Sequence, residues 1–199
     1  MKLITVDEIL NLHEYEKARA ERRRQVIALK TVRRVGVGRH LSFVFENRET
    51  VWFQIQEMCR TERIVDEAKI LEEVEVYNTL LPGPGELSAT MMIEITEGDQ
   101  IPAVLDGLRG IDTGGHVRLD VGPHRVPGIF EEGHSDEESG KISAVHFVRF
   151  PLPPVARRIF RQAQVALVVE HPNERGWTVL APTTQASLAS DLEDDRTGG

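Results

Sequence analysis

One cysteine, Cys59, stands in 199 residues, which excludes an internal disulfide framework and an iron–sulfur cluster held by this chain's own thiolates. Apolar runs of about 18 residues are missing too, so no segment reads as a membrane-spanning helix. The opening MKLITVDEIL has neither a long apolar core nor a small-residue cleavage site, so it is not a secretory signal. With the lone thiol, it points to a reducing cytoplasm. A Gly-x-Ser-x-Gly elbow is absent, and Gly36-Val37-Gly38 lacks the Gly-Lys-Ser/Thr that a phosphate loop needs. The seven histidines are scattered, and the one Glu-x-x-His spacing, Glu131 to His134, lies in an acidic, small-residue loop. His116 and His124 across a turn are the one alternative metal cluster. No metal and no cofactor is expected.

What is present is an ordinary globular balance, 40% hydrophobic and 28% charged, at a length suited to a single domain. The net charge of −8 is unevenly spread: residues 1–39 carry 10 basic and 5 acidic side chains, while the rest is strongly acidic. Arg19, Arg22, Arg23 and Arg24 cluster without interleaved aromatics on a chain that repels phosphate, so nucleic acid is not an expected partner. A basic arm on an acidic body instead suggests intramolecular docking or self-association, a homodimer included.

Periodicity predicts a helix over Asp7–Lys30, strands over Arg33–Val37 and Leu41–Glu46 joined at Gly38-Arg39-His40, and helices over Thr50–Arg63 and Val65–Val76. Leu81 to Gly85, LPGPG, is a turn. Ser88–Thr96 reads as a central strand and Gln100–Leu108 as a short helix. The strands His116–Val121, Arg125–Phe130, Ile142–Phe150, Gln164–Glu170 and Trp177–Leu180 follow, interrupted by a helix over Pro154–Gln162. The acidic loop 131–140 is expected to be mobile and the tail 193–199 disordered. The fold class expected is α+β: a single domain with a curved, mainly antiparallel sheet on which the N-terminal helix and the Thr50–Arg63 helix pack.

That second helix carries the densest chemistry. Asn47 and Thr50 are both suited to cap it, and Val51, Ile55 and Met58, widened by Trp52 and Cys59, form its apolar stripe. Cys59 on that stripe is a small packed group rather than a nucleophile. Around it stand Gln54, Gln56, Glu57, Arg60 and Arg63, with no lysine between Lys30 and Lys69. Arginine's planar fork suits fixed bidentate pairing. Glu57 with Arg60, and Gln56 with Arg60, are spaced to meet on one helix face. Glu94 inside a central strand needs a cation, and Arg60 or Arg63 is the expected one. Arg60→Ala is then expected to cost a few kcal/mol. His146, in the alternating VHFVRF, reads as a half-buried histidine bonded to a neighbour.

The run F-E-N-R-x-T (Phe45 to Thr50) followed by Q-x-Q-E-M-x-R-x-E-R (Gln54 to Arg63) resembles the bacterial "domain of unknown function 3501" family. Tyr77-Asn78-x-Leu80-x-Pro82, L-x-A-T-M-M-I-E (Leu87 to Glu94) and V-H-F-x-R-F (Val145 to Phe150) match it as well, so the resemblance spans most of the chain. It implies no assigned activity, and genomic company with rubrerythrin-like and iron–sulfur oxidoreductase proteins. The leading expectation is a non-catalytic accessory or protein-interaction module of a cytoplasmic redox system. Its recognition surface would be Arg48, Gln54, Gln56, Glu57, Arg60, Arg63, Tyr77, Asn78, Glu94 and His146. The alternative is a small enzyme or anionic-ligand binder in which Glu57, Arg60, Arg63 and Glu94 line a pocket.

Overall fold

The computed structural model describes residues 1–113, 115–131, 135–136 and 141–194. Its first helix starts later than the apolar pattern suggests. Val6–Glu8 makes a single 3-10 turn, and α1 then runs Leu12–Arg33, with the Asn11 side chain accepting from the Glu14 N–H at 3.0 Å. A short acceptor placed there satisfies a free helix-end donor, so the helix begins after Asn11 rather than at Asp7. Tyr15, Val26 and Arg33 are its buried residues, and the arginine-rich middle crosses the surface.

The hairpin β1 (Arg34–Val37) and β2 (Leu41–Phe45) turns through Gly38, Arg39 and His40 as its residues predict. Gly38 has a φ of 67°, and a Cβ there would fall 2.0 Å from a carboxylate oxygen of the buried Glu174, so only glycine fits. Next comes α2 (Arg48–Thr61), opened by a capping box between Asn47 and Thr50. Arg63, just past its end, has a φ of 54°. The Arg63 N–H bonds to the Arg60 carbonyl at 3.3 Å and the Ile64 N–H to the Cys59 carbonyl at 2.8 Å, the two bonds of a Schellman ending. A side chain is costly in that conformation, so Arg63→Gly is expected to stabilise the fold by about 0.5–1 kcal/mol, seen as a raised melting midpoint. A lowered midpoint would show that the arginine side chain contributes more than the strain removes.

The chain continues through α3 (Glu67–Asn78), β3 (Glu86–Ile93), α4 (Ile101–Gly107), β4 (Val117–Val121), β5 (His124–Pro127) and β6 (Ile129–Phe130). The two-residue strands β7 (Ser135–Asp136) and β8 (Lys141–Ile142) pair with each other. After them come β9 (Val145–Pro151), α5 (Pro154–Ile159), β10 (Val165–His171), β11 (Glu174–Val179) and α6 (Pro182–Asp194). The fold is α+β. Apart from the β7–β8 pair, its described strands divide between two open antiparallel sheets, of order β1-β2-β3-β9-β6 and β11-β10-β4-β5, where the sequence suggested one curved sheet. The division occurs at Gly128, inside the stretch expected as one strand: β5 belongs to the second sheet and β6 to the first. A Cβ at Gly128 would sit 2.8 Å from the Val148 side chain, so the crossing needs its absence.

Alternation explains the layers. Leu41, Phe43 and Phe45 of β2, Leu87, Ala89 and Met91 of β3, and Val148 and Phe150 of β9 share one core with Leu119, Val121, Leu167 and Val169 of the second sheet. A separate cluster of Ile4, Val51, Ile55, Cys59, Val74, Leu80 and Leu81, joined by Phe147, lies between the first sheet and the helices. The first sheet is therefore the middle layer, which is why all five residues of β2 are buried. Among the described residues no helix is long and apolar enough to cross a membrane.

One helix was not legible. α6 carries only two leucines, Leu188 and Leu192, yet Thr184, Leu188, Ala189, Asp191 and Leu192 are buried at helical spacing. It extends through Asp194, so residues 193–194 belong to a helix and not to a disordered tail. Residues 195–199, and 132–134 and 137–140 of the acidic loop, lie outside the described residues.

Candidate functional site

The polar helix α2 holds something, and what it holds is this chain's own N-terminal segment. Gln56, 1% exposed, accepts from the Leu10 N–H at 3.0 Å and donates to the Leu10 carbonyl at 3.3 Å. Asn78, at the end of α3, does the same to Ile4, at 3.0 and 2.9 Å. Two side-chain amides thus each bond both backbone polar groups of one residue, as a neighbouring strand would. The Trp52 indole N–H donates to the Glu8 carbonyl at 3.0 Å. Arg48 bonds to the Lys2 carbonyl at 3.2 Å, the Leu3 carbonyl and the Glu8 carboxylate.

The acids and arginines of α2 turn mainly to α1. Glu57 accepts from Arg19 through two bonds of 2.8 Å and from the Tyr15 hydroxyl at 2.7 Å. The Arg19 bonds hold the Glu57 carboxyl below its usual range. Tyr15 is shifted the other way: burial first, then the hydrogen bond to Glu57, pushes its phenol well up. Arg60 pairs with Glu16 at 2.9 Å on the surface, not with Glu57 or Glu94. An exposed pair contributes little, so Arg60→Ala is expected to cost under about 1 kcal/mol, measured by urea denaturation. A loss of several kcal/mol would restore the buried network that the sequence suggested.

The other expected members do not converge. β3 ends at Ile93, so Glu94 leaves the strand; it is exposed and pairs with Arg34 at 2.6 Å instead of Arg60 or Arg63. Arg63 is exposed and shapes the helix end through its backbone. Tyr77 packs against the helix-side cluster, where burial raises its phenol. His146 faces away from α2, 1% exposed; its Nε2 donates to the Ser143 carbonyl at 2.8 Å and its Nδ1 lies 3.6 Å from the Asp112 carboxylate. Cys59 is a packed group, its thiol pushed up by burial. His116 stacks edge-on with His171 at 4.8 Å between ring centres. Among the described residues no three histidine, cysteine or acidic side chains stand close enough to hold a metal.

The buried carboxylate lies elsewhere, at Glu46. Ser42, Val44 and Glu46 continue one parity along β2 and point to the helix side of the first sheet, opposite the core-facing Leu41, Phe43 and Phe45. Glu46 is 3% exposed. Thr50 and Thr90 hydroxyls donate to it at 2.5 and 2.7 Å, and the Gln54 amide lies at 3.4 Å. Gln54 is thus the expected residue nearest to the site. The three donors are neutral, and among the described residues no basic group lies within 4.0 Å of this carboxylate. Thr50 is doubly committed, because its hydroxyl also closes the capping box that starts α2.

Glu46 lines a cleft of about 110 Å³. Leu80, Phe130, Phe147 and Ile129 supply apolar walls, and Glu131 and Arg149 also line it. Arg149 is held in place by Glu86 at 3.1 Å, the Leu81 carbonyl at 3.1 Å and the Thr79 carbonyl. None of the ten side chains expected to form a recognition surface lines this cleft. A signal was nonetheless present. Glu46, Leu80, Ala89, Phe147 and Arg149, all lining residues, fall within the four stretches F-E-N-R, Y-N-x-L, L-x-A-T and V-H-F-x-R-F. The β2, β3 and β9 segments, about forty to sixty residues apart in sequence, share one cavity because these strands are hydrogen-bonded neighbours.

A family model described as "Protein of unknown function (DUF3501)" matches residues 3–192. Among solved structures, the chain is similar to a novel protein of unknown function from Burkholderia pseudomallei K96243. The two share 35% identity and a TM-score of 0.88, over 96% of this chain and 100% of that one. No curated protein matches it. A model covering nearly the whole length, together with this structural likeness, assigns the chain: it belongs to the DUF3501 family of proteins of unknown function.

Proposed function

We propose that this chain is a non-catalytic binding protein whose cleft takes a small organic cation, with its protonated nitrogen on Glu46 and its apolar body against Leu80, Phe130 and Phe147. The observation that carries this reading is the Glu46 carboxylate, nearly excluded from water and bonded by neutral donors alone. A buried carboxylate without a countercharge is costly, and a ligand cation offsets that cost. The charge of Arg149 is already met by Glu86. Of the two arginines first assigned to an anionic ligand, Arg60 has turned to Glu16 and Arg63 stands exposed past the end of α2, which moves the weight from an anion to a cation.

Calorimetry and thermal shift with benzylammonium and hexylammonium, against the neutral benzyl alcohol, test the proposal. Saturation at a hundredfold over the dissociation constant contributes about 2.7 kcal/mol, a rise of roughly 5–10 °C in melting midpoint for a chain of this size. Glu46→Gln is expected to keep the fold and lose the response. A variant that binds the amines as well as the wild type, or a wild type that binds none of them, overturns it.

A protein-interaction role is the second reading, supported by Trp177, 74% exposed on the second sheet. Accessory work beside rubrerythrin-like or iron–sulfur proteins rests on the family resemblance, and capture from the native host tests it. Cytoplasmic placement is supported by the single buried thiol.

A further inference from the structure

We infer that the outer face of the second sheet is where two copies of this chain associate. The inference is independent of the cleft, whose walls come from the first sheet and the turn after α3, so the two can fail separately. Along β11 the residues turned away from the core are Arg175, Trp177 and Val179, with Trp177 74% and Val179 45% exposed. Beside them on β10 stand Val168 and Ala166, paired in register with Trp177 and Val179. A tryptophan this exposed on a regular strand is a large apolar surface left in water, and tryptophan is the residue type most enriched at the energetic centre of interfaces. Among the described residues nothing covers it.

The charges around it favour a copy of the same chain. Arg118 donates to Asp120 at 2.9 Å and to Glu170 at 2.7 and 3.1 Å. Arg125 sits opposite Asp120 and Arg175 opposite Glu170 in the strand register. Three arginines therefore meet two carboxylates on this face, while the whole chain carries −8. Two copies repel over most of their surface, but here mixed signs can pair again across a two-fold axis.

Shape leads to the same partner. A shallow hollow of about 370 Å³ passes over Ala166 and Gly122 beside Trp177. A knob and a hollow on one face are what a two-fold interface uses, each Trp177 entering the hollow of the other copy. Lengthening the sheet is a poor alternative. The β5 edge carries Pro127, and at the other edge the Thr178 hydroxyl of β11 donates to the Gly36 carbonyl of β1 at 2.6 Å. Four strands at ~4.8 Å spacing and ~6 residues of ~3.3 Å give a face of roughly 400 Å². That size suits a reversible association rather than a permanent one.

Sedimentation equilibrium of the full chain from micromolar to millimolar concentration tests this. The wild type is expected to pass from monomer to dimer. Trp177→Asp is expected to weaken the dimer at least about thirty-fold, since a buried tryptophan anchor contributes on that scale. Arg23→Glu, on the exposed middle of α1, is expected to associate as the wild type does. Far-UV circular dichroism confirms that each variant is folded, and Val179→Asp carries the same expectation should Trp177→Asp fail to fold. A wild type that stays monomeric throughout, or aspartate variants that associate as strongly as the wild type, overturns the inference.

Discussion

Arg33→Met is expected to lower stability by about 3–5 kcal/mol, with a fall of roughly 10 °C or more in melting midpoint. Arg33 is fully buried at the end of α1. Its Nε donates to the Phe45 carbonyl at 2.8 Å and its Nη2 to the Glu46 carbonyl at 3.0 Å; Nη1 reaches the Ser187 hydroxyl at 3.0 Å and Nη2 the Asp191 carboxylate at 2.5 Å. One guanidinium therefore joins α1, the end of β2 and α6. Methionine fills much of the volume but takes none of these bonds, and it leaves the Asp191 charge in a site 9% exposed. Removing one partner of a buried pair costs far more than removing both. Arg33→Met with Asp191→Leu is thus expected to regain part of the loss. It does not regain all of it, because two backbone carbonyls remain without the guanidinium. Denaturant unfolding of the two variants checks the order, and a loss below about 1 kcal/mol in the single variant would refute this account of the junction.

The second large effect concerns the segment that α2 and α3 hold. Gln56→Leu together with Asn78→Leu is expected to release residues 1–10 from the helices and to cost about 2–6 kcal/mol in all, at about 1–3 kcal/mol for each amide lost. Leucine fits the size of either amide, so the cores behind them need not collapse. What is lost is the pairing with the N–H and carbonyl of Leu10 and of Ile4. Ile4 itself is 2% exposed inside the helix-side cluster, and its burial depends on the segment staying in place. Limited proteolysis reads the outcome directly: the double variant is cut before Leu12 under conditions in which the wild type is intact. Equal resistance of the two proteins would mean that Arg48 and Trp52 suffice to hold the segment.

Local order was legible where local residues decide it. The start of α2 follows from Asn47 and Thr50, and the first hairpin from Gly38; of the expected stripe Val51, Ile55 and Cys59 are buried, while Met58 and Trp52 are half-buried. Partners were harder. Glu57 and Arg60 are three apart on one helix, yet Glu57 bonds to Arg19, 38 residues earlier, because α1 lies against α2. Helical spacing names the pairs that can meet, and a neighbouring helix with a better-placed fork takes the carboxylate. The buried acid is Glu46 and not Glu94 for a related reason: each stands one residue past a strand end, but Glu46 leads into α2, whose Thr50 closes over it, whereas Glu94 leads into an exposed turn.

By itself the sequence determined the α+β class, the capped polar helix and most strands, since caps, glycines and alternation act over a few residues. Tertiary structure alone decided that this polar helix clasps the chain's own first residues, that the strands split into two sheets at Gly128, and that Glu46 and Arg149 share a cleft. Those outcomes depend on which distant segments lie side by side. A side chain's burial and its bonding partners are properties of that neighbourhood, and no spacing along one segment encodes them.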